Sequence, residues 1–245
     1  MEITKTRLAP TPSGFLHLGN ALSFFITASL AKKHKAKILL RIDDLDQKRV
    51  KAEYIQDIFD TLDFLEIPYD EGPRNKKEFL QDYSQLNRLS LYRKFIKELK
   101  EKNQIFACDC SRKKLQKEHP QRWYTGTCLH RDLSFSKNQS SLRLVTDLEQ
   151  TVYINHYAMA QQQHHLPGAV GFFMVQKKDG YPSYHLASMV DDIHFKVDLI
   201  VRGLDLSAST VAQVYLSKHW HDHSFDRTIF HHHQLFKEEG KKLSK

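Results

Sequence analysis

The sequence predicts an α/β fold built on a parallel sheet, and three stretches carry that prediction. Residues 1–31 read as strand, tight turn and helix. Ile3, Thr4 and Thr6 favour extended backbone, Pro10, Pro12 and Gly14 interrupt it, and residues 21–31 form an apolar run long enough for a buried helix. Residues 37–42 are a second apolar run, closed by Asp43, Asp44 and Asp46. That is the pattern of a buried strand whose carboxyl end faces a ligand. Residues 169–175, Ala-Val-Gly-Phe-Phe-Met-Val, read as a fully buried strand.

The remaining elements follow from periodicity. Val50, Tyr54, Ile58, Leu62 and Leu65 recur at helical spacing over residues 49–65, and Leu91, Phe95 and Leu99 do so over residues 89–102. Residues 140–145 and 150–155 alternate as strands. Residues 161–165, Gln-Gln-Gln-His-His, read as a polar loop, and residues 177–180 as a turn. Residues 209–218 form another helix. Residues 229–236 are strand-like, which places His231 and His233 on one face. No further ligand flanks those histidines at a usual spacing, so no metal is expected there.

Within the first stretch, His17 and Gly19 fall in the first helical turn. Unpaired N–H groups and the positive dipole end suit a phosphate there. Glycine at 19 lets a flat base or a ribose approach the backbone closely.

The chain has 245 residues and a net charge of +8, with a pI of about 9.2 and a mean hydropathy of −0.55. A basic balance favours a polyanionic partner, nucleic acid first. No apolar run is long enough to span a membrane, and residues 1–5 do not open a signal peptide. Three cysteines are an odd number and make no disulfide framework, so the cytoplasm is the expected compartment. Cys108-Asp-Cys110 and a later Cys128 can share one tetrahedral zinc. A fourth ligand is then needed, and on chemistry alone His119, His130 and Asp109 are all candidates.

Five segments carry a family resemblance. Pro12-Ser-Gly-x-Leu-His17-x-Gly19 is similar to the first signature of class I aminoacyl-tRNA synthetases, in the glutamyl and glutaminyl branch. Gly240-Lys-Lys242-Leu-Ser244-Lys245 resembles their second signature, Lys-x-Ser-Lys, on a mobile loop. Between them lie Arg41-Ile-Asp43-Asp-x-Asp46, Tyr184-His-Leu-Ala-x-x-Val-Asp-Asp192 and Arg202-Gly-x-Asp205-Leu. The family has Glu where Asp43 stands, so the reach toward a substrate ammonium is about one methylene shorter. His231 matches a family histidine near the nucleotide, and His233 replaces a residue that is usually proline.

The resemblance implies a Rossmann-like class I catalytic domain formed by residues 1–107 and 169–245, with residues 108–168 inserted as a zinc-containing subdomain. It implies binding of ATP, with Mg²⁺, by His17, Gly19, Asn20, Lys242, Ser244 and Lys245, with His17 and Lys245 catalytic. Glutamate would be held by Arg7, Leu8, Ala9, Pro10, Thr11, Asp43, Tyr184 and Arg202. Two guanidinium forks and one carboxylate suit an amino acid with two negative charges and one positive.

The arrangement Cys108-x-Cys110…Tyr124-x-x-x-Cys128 resembles the zinc insertion of the glutamyl-queuosine tRNA(Asp) synthetases, in which a tyrosine is the fourth ligand; that role carries over to Tyr124. With the lack of an anticodon-binding part after Lys245, it implies a monomer that transfers activated glutamate to queuosine in the anticodon of tRNA(Asp). The alternatives are a shortened glutamyl-tRNA synthetase acting on tRNA(Glu), and a non-catalytic paralogue that binds nucleotide or RNA. No Gly-x-Ser-x-Gly elbow supports a nucleophile–base pair.

Overall fold

The computed structural model describes residues 2–111, 113–115, 123–135, 140–235, 237–238 and 241–242. In chain order the elements begin with β1 (Lys5–Leu8), α1 (Leu18–His34), β2 (Lys37–Leu40), α2 (Ala52–Phe64), the single turn α3 (Lys76–Glu78) and α4 (Leu89–Glu101). Then come β3 (Ile105–Cys108), β4 (Ser141–Leu144), β5 (Thr151–His156), β6 (Gln162–His165) and β7 (Met174–Gln176). The last are α5 (Tyr184–His194), β8 (Leu199–Gly203), α6 (Ser207–Ser217), β9 (Ile229–His233), β10 (Lys237–Glu238) and β11 (Lys241–Lys242). No helix among the described residues is long and apolar enough to cross a membrane.

The chain divides into two compact units. The first comprises Met1–Arg88, Phe195–Leu206 and Thr228–Lys245, and the second Leu89–His194 and Ser207–Arg227. In the first, β2, β1, β8 and β9 lie side by side in that order, all parallel. The βαβ crossover from β1 through α1 to β2 forms because the apolar residues of α1 and α2 must cover the sheet. Leu8, Phe24, Ile38, Leu40, Ile58 and Leu62 belong to one buried cluster there. The first strand begins later than the β-branched residues indicated and runs into the motif itself, so Arg7 and Leu8 are strand residues.

In the second unit, β3, β4 and β7 form an antiparallel sheet. Helix α4 buries Phe95 and Leu99 as the spacing predicts, together with Tyr92 and Ile96, while Leu91 is half-buried, and the Tyr92 hydroxyl donates to Asp191 Oδ1 at 2.7 Å.

Two expectations fail in this unit. Residues 161–165 are not a loop: Gln162–His165 is strand β6, paired with β5 from Thr151↔His165 to Ile154↔Gln162. The hairpin ladder is a backbone property, and the turn supplies it through Ala158 at φ 55°. Residues 169–175 are not one strand either. Gly168–Val170 is a 3₁₀ turn, Phe172 has φ 46°, and only Met174–Gln176 is extended. Phe173 and Val175 are buried nonetheless. Apolar content signals burial and does not by itself select a strand.

Candidate active site and thiol cluster

The turn between β1 and α1 is held by its own motif. His17 is the N-cap of α1, with φ −133° and ψ 171°. Its Nδ1 accepts the Gly19 N–H at 3.0 Å, and Asn20 Oδ1 accepts the His17 N–H at 3.1 Å. This is a reciprocal capping box. It alters the expectation of unpaired helix-end donors, because the Gly19 N–H is already used by the His17 ring. Since Nδ1 accepts, the neutral ring carries its proton on Nε2. The helix end thereby offers an imidazole N–H backed by the helix dipole. Glycine at 19 has a steric reason as well: a Cβ there would meet His17 Cε1 at 2.9 Å and Nδ1 at 3.0 Å.

Beyond β1 and β2 the backbones stay paired. Arg41 N donates to Leu8 O at 2.9 Å and Asp43 N to Pro10 O at 2.9 Å. The Leu8–Pro10 and Arg41–Asp43 segments are therefore neighbours. Leu8 turns into the core, Pro10 is buried, Ala9 is half-buried and Thr11 is exposed. Arg7 is buried and its Nη1 donates to Val201 O at 3.1 Å, the carbonyl just before Arg202. Arg202 is also buried, with its guanidinium 5.2 Å from the Phe230 ring centroid. The two arginines are thus anchored on adjacent parallel strands.

Asp43 makes a contact that the motif did not reveal. Arg41 Nε lies 2.7 Å from Asp43 Oδ1 and Nη2 lies 3.0 Å from Oδ2. The pair is bidentate and buried, with side chains 2% and 9% exposed. An ionised carboxylate has about four lone-pair sites, so this fork leaves capacity for a substrate ammonium. Removing one partner of such a pair leaves a buried charge. Arg41→Met is therefore expected to cost about 3–5 kcal/mol by urea denaturation, with Arg41→Met/Asp43→Leu recovering most of it.

Asp44 is structural: Ser84 Oγ donates to it at 2.6 Å and Gln85 N at 2.8 Å. Burial pushes its carboxyl above the usual range, and those hydrogen bonds offset only part of the shift. Asp46 pairs with Arg49 at 2.6 Å on the surface.

At the other end of the chain, Lys242 lies in β11, paired antiparallel with β10 through Lys237↔Lys242 and Glu238↔Lys241. Ser244 and Lys245 lie outside the described residues. His231 is half-buried on β9. Burial, and then the charge of His233, hold its imidazole below the usual value. Tyr184 opens α5 in the second unit and is 43% exposed.

The cysteines converge. Cys108, Cys110 and Cys128 are buried, and their Sγ atoms all lie within 4.8 Å of one another. The Cys110 and Cys128 sulfurs are 3.5 Å apart. Tyr124 joins them: its hydroxyl accepts the Cys128 N–H at 2.8 Å and also hydrogen-bonds the Cys108 and Cys128 thiols. Three soft thiolates and a phenol oxygen around one point fit a tetrahedral zinc.

The local electrostatics favour anionic sulfur on one side. Burial opposes ionisation of Cys108, but hydrogen bonds from Tyr124, the Cys110 backbone and Arg143 bring it down to about 7. Burial and the two neighbouring sulfurs push Cys110 up to about 12. Arg143, which sequence reasoning missed, lies 3.9 Å from the Tyr124 ring centroid. Arg131 Nη1 is 3.3 Å from Cys128 Sγ and 2.8 Å from Asp109 Oδ1. Asp109 Oδ1 lies 3.5 Å from Cys128 Sγ as well. His119 lies outside the described residues.

A separate cavity of about 420 Å³ lies in the second unit, with Arg93, Phe135, Lys177, Lys178 and Tyr181 in its walls. None of the predicted site residues lines it.

A parallel sheet whose first turn ends in a capped helix, with buried arginines and a carboxylate near the strand ends, is the architecture of an open α/β domain. The chain belongs to the class I tRNA synthetases of the E and Q type: the model of their catalytic domain matches residues 3–245.

Among curated proteins it is 29% identical over 244 residues to glutamate–tRNA ligase 2 of Syntrophus aciditrophicus, covering 94% of this chain and 49% of that one. It is 28% identical over 253 residues to glutamate–tRNA ligase of Legionella pneumophila subsp. pneumophila, covering 98% and 50%. The chain thus spans about half the length of the curated relatives it matches. Among solved structures, a glutamate-tRNA synthetase from Elizabethkingia anophelis has a TM-score of 0.79 at 23% identity, covering 99% of this chain and 52% of that one. A glutamate tRNA ligase from Elizabethkingia meningosepticum has a TM-score of 0.78 at 21% identity, covering 98% and 51%. Both share the fold.

Proposed function

We propose that this chain activates glutamate with ATP and transfers it to queuosine in the anticodon of tRNA(Asp). The activation half rests on the capped turn at His17 beside the Arg7, Asp43 and Arg202 strand ends. The glutamate carboxylate attacks the α-phosphorus of ATP and pyrophosphate departs; Mg²⁺ bound with the ATP would supply neutralisation of the phosphate charge. His17 Nε2–H donates to phosphate oxygen, Gly19 and Asn20 keep the ring and helix end in place, Lys242 and Lys245 neutralise the departing charge, and Ser244 donates a hydrogen bond to it. Arg7 and Arg202 take substrate carboxylates, Asp43 takes the ammonium, and Tyr184 is assigned to the amino acid from its motif alone. Positioning and charge stabilisation suffice for such a transfer, and no nucleophile–base pair is called for.

The choice of acceptor rests on one observation, the meeting of Cys108, Cys110, Cys128 and Tyr124 around one point. These four residues would hold a structural zinc in the inserted region 108–168, and four protein ligands leave no open position for catalysis. The test is transfer of labelled glutamate to tRNA(Asp) with and without queuosine. Labelling only of the queuosine form supports the proposal. The relatives' printed names favour a second reading, charging of tRNA(Glu), and labelling of that RNA alone would replace the first.

Gly19→Ala separates site geometry from stability. Alanine gains about 1 kcal/mol in a helix while displacement of the His17 ring forfeits a cap worth about the same, so the melting temperature is expected to hold. The new methyl displaces the His17 ring, and KM for ATP in pyrophosphate exchange is expected to rise about tenfold.

A further inference from the structure

His233 and Ser23 lie outside every motif that points to the reaction, yet they join two of its parts. His233 ends β9 and is buried. β9 is fixed in the sheet by its parallel pairing with β8, Gly203 opposite His233. The His233 Nδ1 is 2.8 Å from Gln234 O, an oxygen that only accepts, so Nδ1 carries a proton. In the neutral ring, Nε2 then accepts the Ser23 hydroxyl at 2.6 Å; in the charged ring the same contact persists with the donor reversed. Ser23 Oγ is also 3.2 Å from Gly19 O; its single proton reaches that carbonyl when the charged ring donates to Oγ, and in the neutral ring, where the proton goes to Nε2, Oγ and Gly19 O are in contact only. Gly19 in turn donates its N–H to His17 Nδ1 at 3.0 Å. One residue, Gly19, is therefore touched by Ser23 at its carbonyl and by the His17 ring at its amide.

We propose that His233 and Ser23 are positioning residues for the nucleotide: the pair ties the first turn of α1 to the end of β9, and through Gly19 it sets where the His17 ring stands. The proposal rests on the reading that this turn takes ATP. A helix carries its first turn as a rigid body, and displacement of a binding group by about 1 Å is enough to weaken phosphate contacts severely. The chain after β9 leads directly into Lys237–Lys242, so the pair also links the segments that hold the two family signatures.

The test compares Ser23→Ala, His233→Leu, the double variant and Ser23→Thr, which keeps the hydroxyl. The readouts are the ATP dissociation constant by calorimetry, and KM for ATP against kcat in glutamate-dependent pyrophosphate exchange. Each single loss is expected to raise the dissociation constant and KM about fivefold with kcat within about twofold. Ser23→Thr is expected to match the parent. Because the two side chains act as one unit, the double variant should be no worse than the worse single. Multiplying effects in the double variant, or unchanged ATP affinity in both singles, would overturn the proposal. If His233→Leu fails to fold by thermal melting, Ser23→Ala against Ser23→Thr decides alone. A parent that binds ATP but shows no exchange removes the activation reading only, and the dissociation constants still judge the pair. A parent that binds no ATP overturns both.

Discussion

Replacing His17 with asparagine is expected to leave the melting temperature nearly unchanged while cutting glutamate-dependent pyrophosphate exchange about a hundred- to a thousandfold. The two halves of that result have separate physical origins. As an N-cap, His17 supplies a ring nitrogen that accepts the Gly19 N–H at 3.0 Å, and asparagine is among the best residues at supplying an acceptor there. The helix therefore keeps its cap. The second ring nitrogen is a different matter. With Nδ1 committed as acceptor, Nε2–H is a donor of fixed direction at the positive end of the α1 dipole, and asparagine has no group that extends as far. A donor aimed at charge that develops on phosphate is worth most in the transition state. Unchanged exchange in the asparagine variant would mean that His17 serves only as a cap.

The second large effect concerns the thiol cluster. The parent is expected to carry one zinc per chain, and chelation or Cys128→Ser to cost on the order of 4 kcal/mol or more of stability, measured as a shift in the urea midpoint with metal content followed in parallel. Without a metal the cluster is a poor arrangement: three buried sulfurs within 4.8 Å repel one another once ionised, and burial first, then those neighbouring sulfurs, push Cys110 up to about 12. A divalent cation reverses that repulsion into attraction for all three at once. Cys128 is also the sulfur that Arg131 approaches at 3.3 Å, so its removal leaves a surface guanidinium with one contact fewer and a gap in the buried group of Phe106, Cys108, Cys110 and Tyr124. A protein purified without zinc, with a urea midpoint indifferent to chelator, would show that the cysteines are only packed thiols.

Much of the first unit was legible because its signals are local. Proline and glycine between two apolar runs gave the β1–α1 turn, and the run before Asp43 gave β2. The meeting of the three cysteines was legible from spacing, although the arginines beside them were not: Arg131 and Arg143 reach the cluster through the fold, from positions with no periodic relation to the cysteines. Arg41 was within reach of sequence reasoning. Residues two apart on an extended strand share a face, so an Arg-Ile-Asp run could have been read as an ion pair on one side of the backbone. The stretch 169–175 misled because a hydrophobic run reports burial, and Phe172 at φ 46° breaks the strand with no proline or other helix or strand breaker at that position. The polar strand β6 misled for the opposite reason: its pairing with β5 is set by the hairpin, and its side chains contribute little. The Ser23–His233 contact spans 210 positions and has no local signature.

The central claim is that the capped turn at His17 holds ATP for attack by a glutamate carboxylate. ATP–pyrophosphate exchange measures that step most directly, with Mg²⁺ and a panel of amino acids and with no RNA added. The account predicts exchange that depends on glutamate and falls sharply with aspartate and glutamine. Absence of exchange at saturating glutamate would contradict it, as would exchange of equal rate with every amino acid supplied.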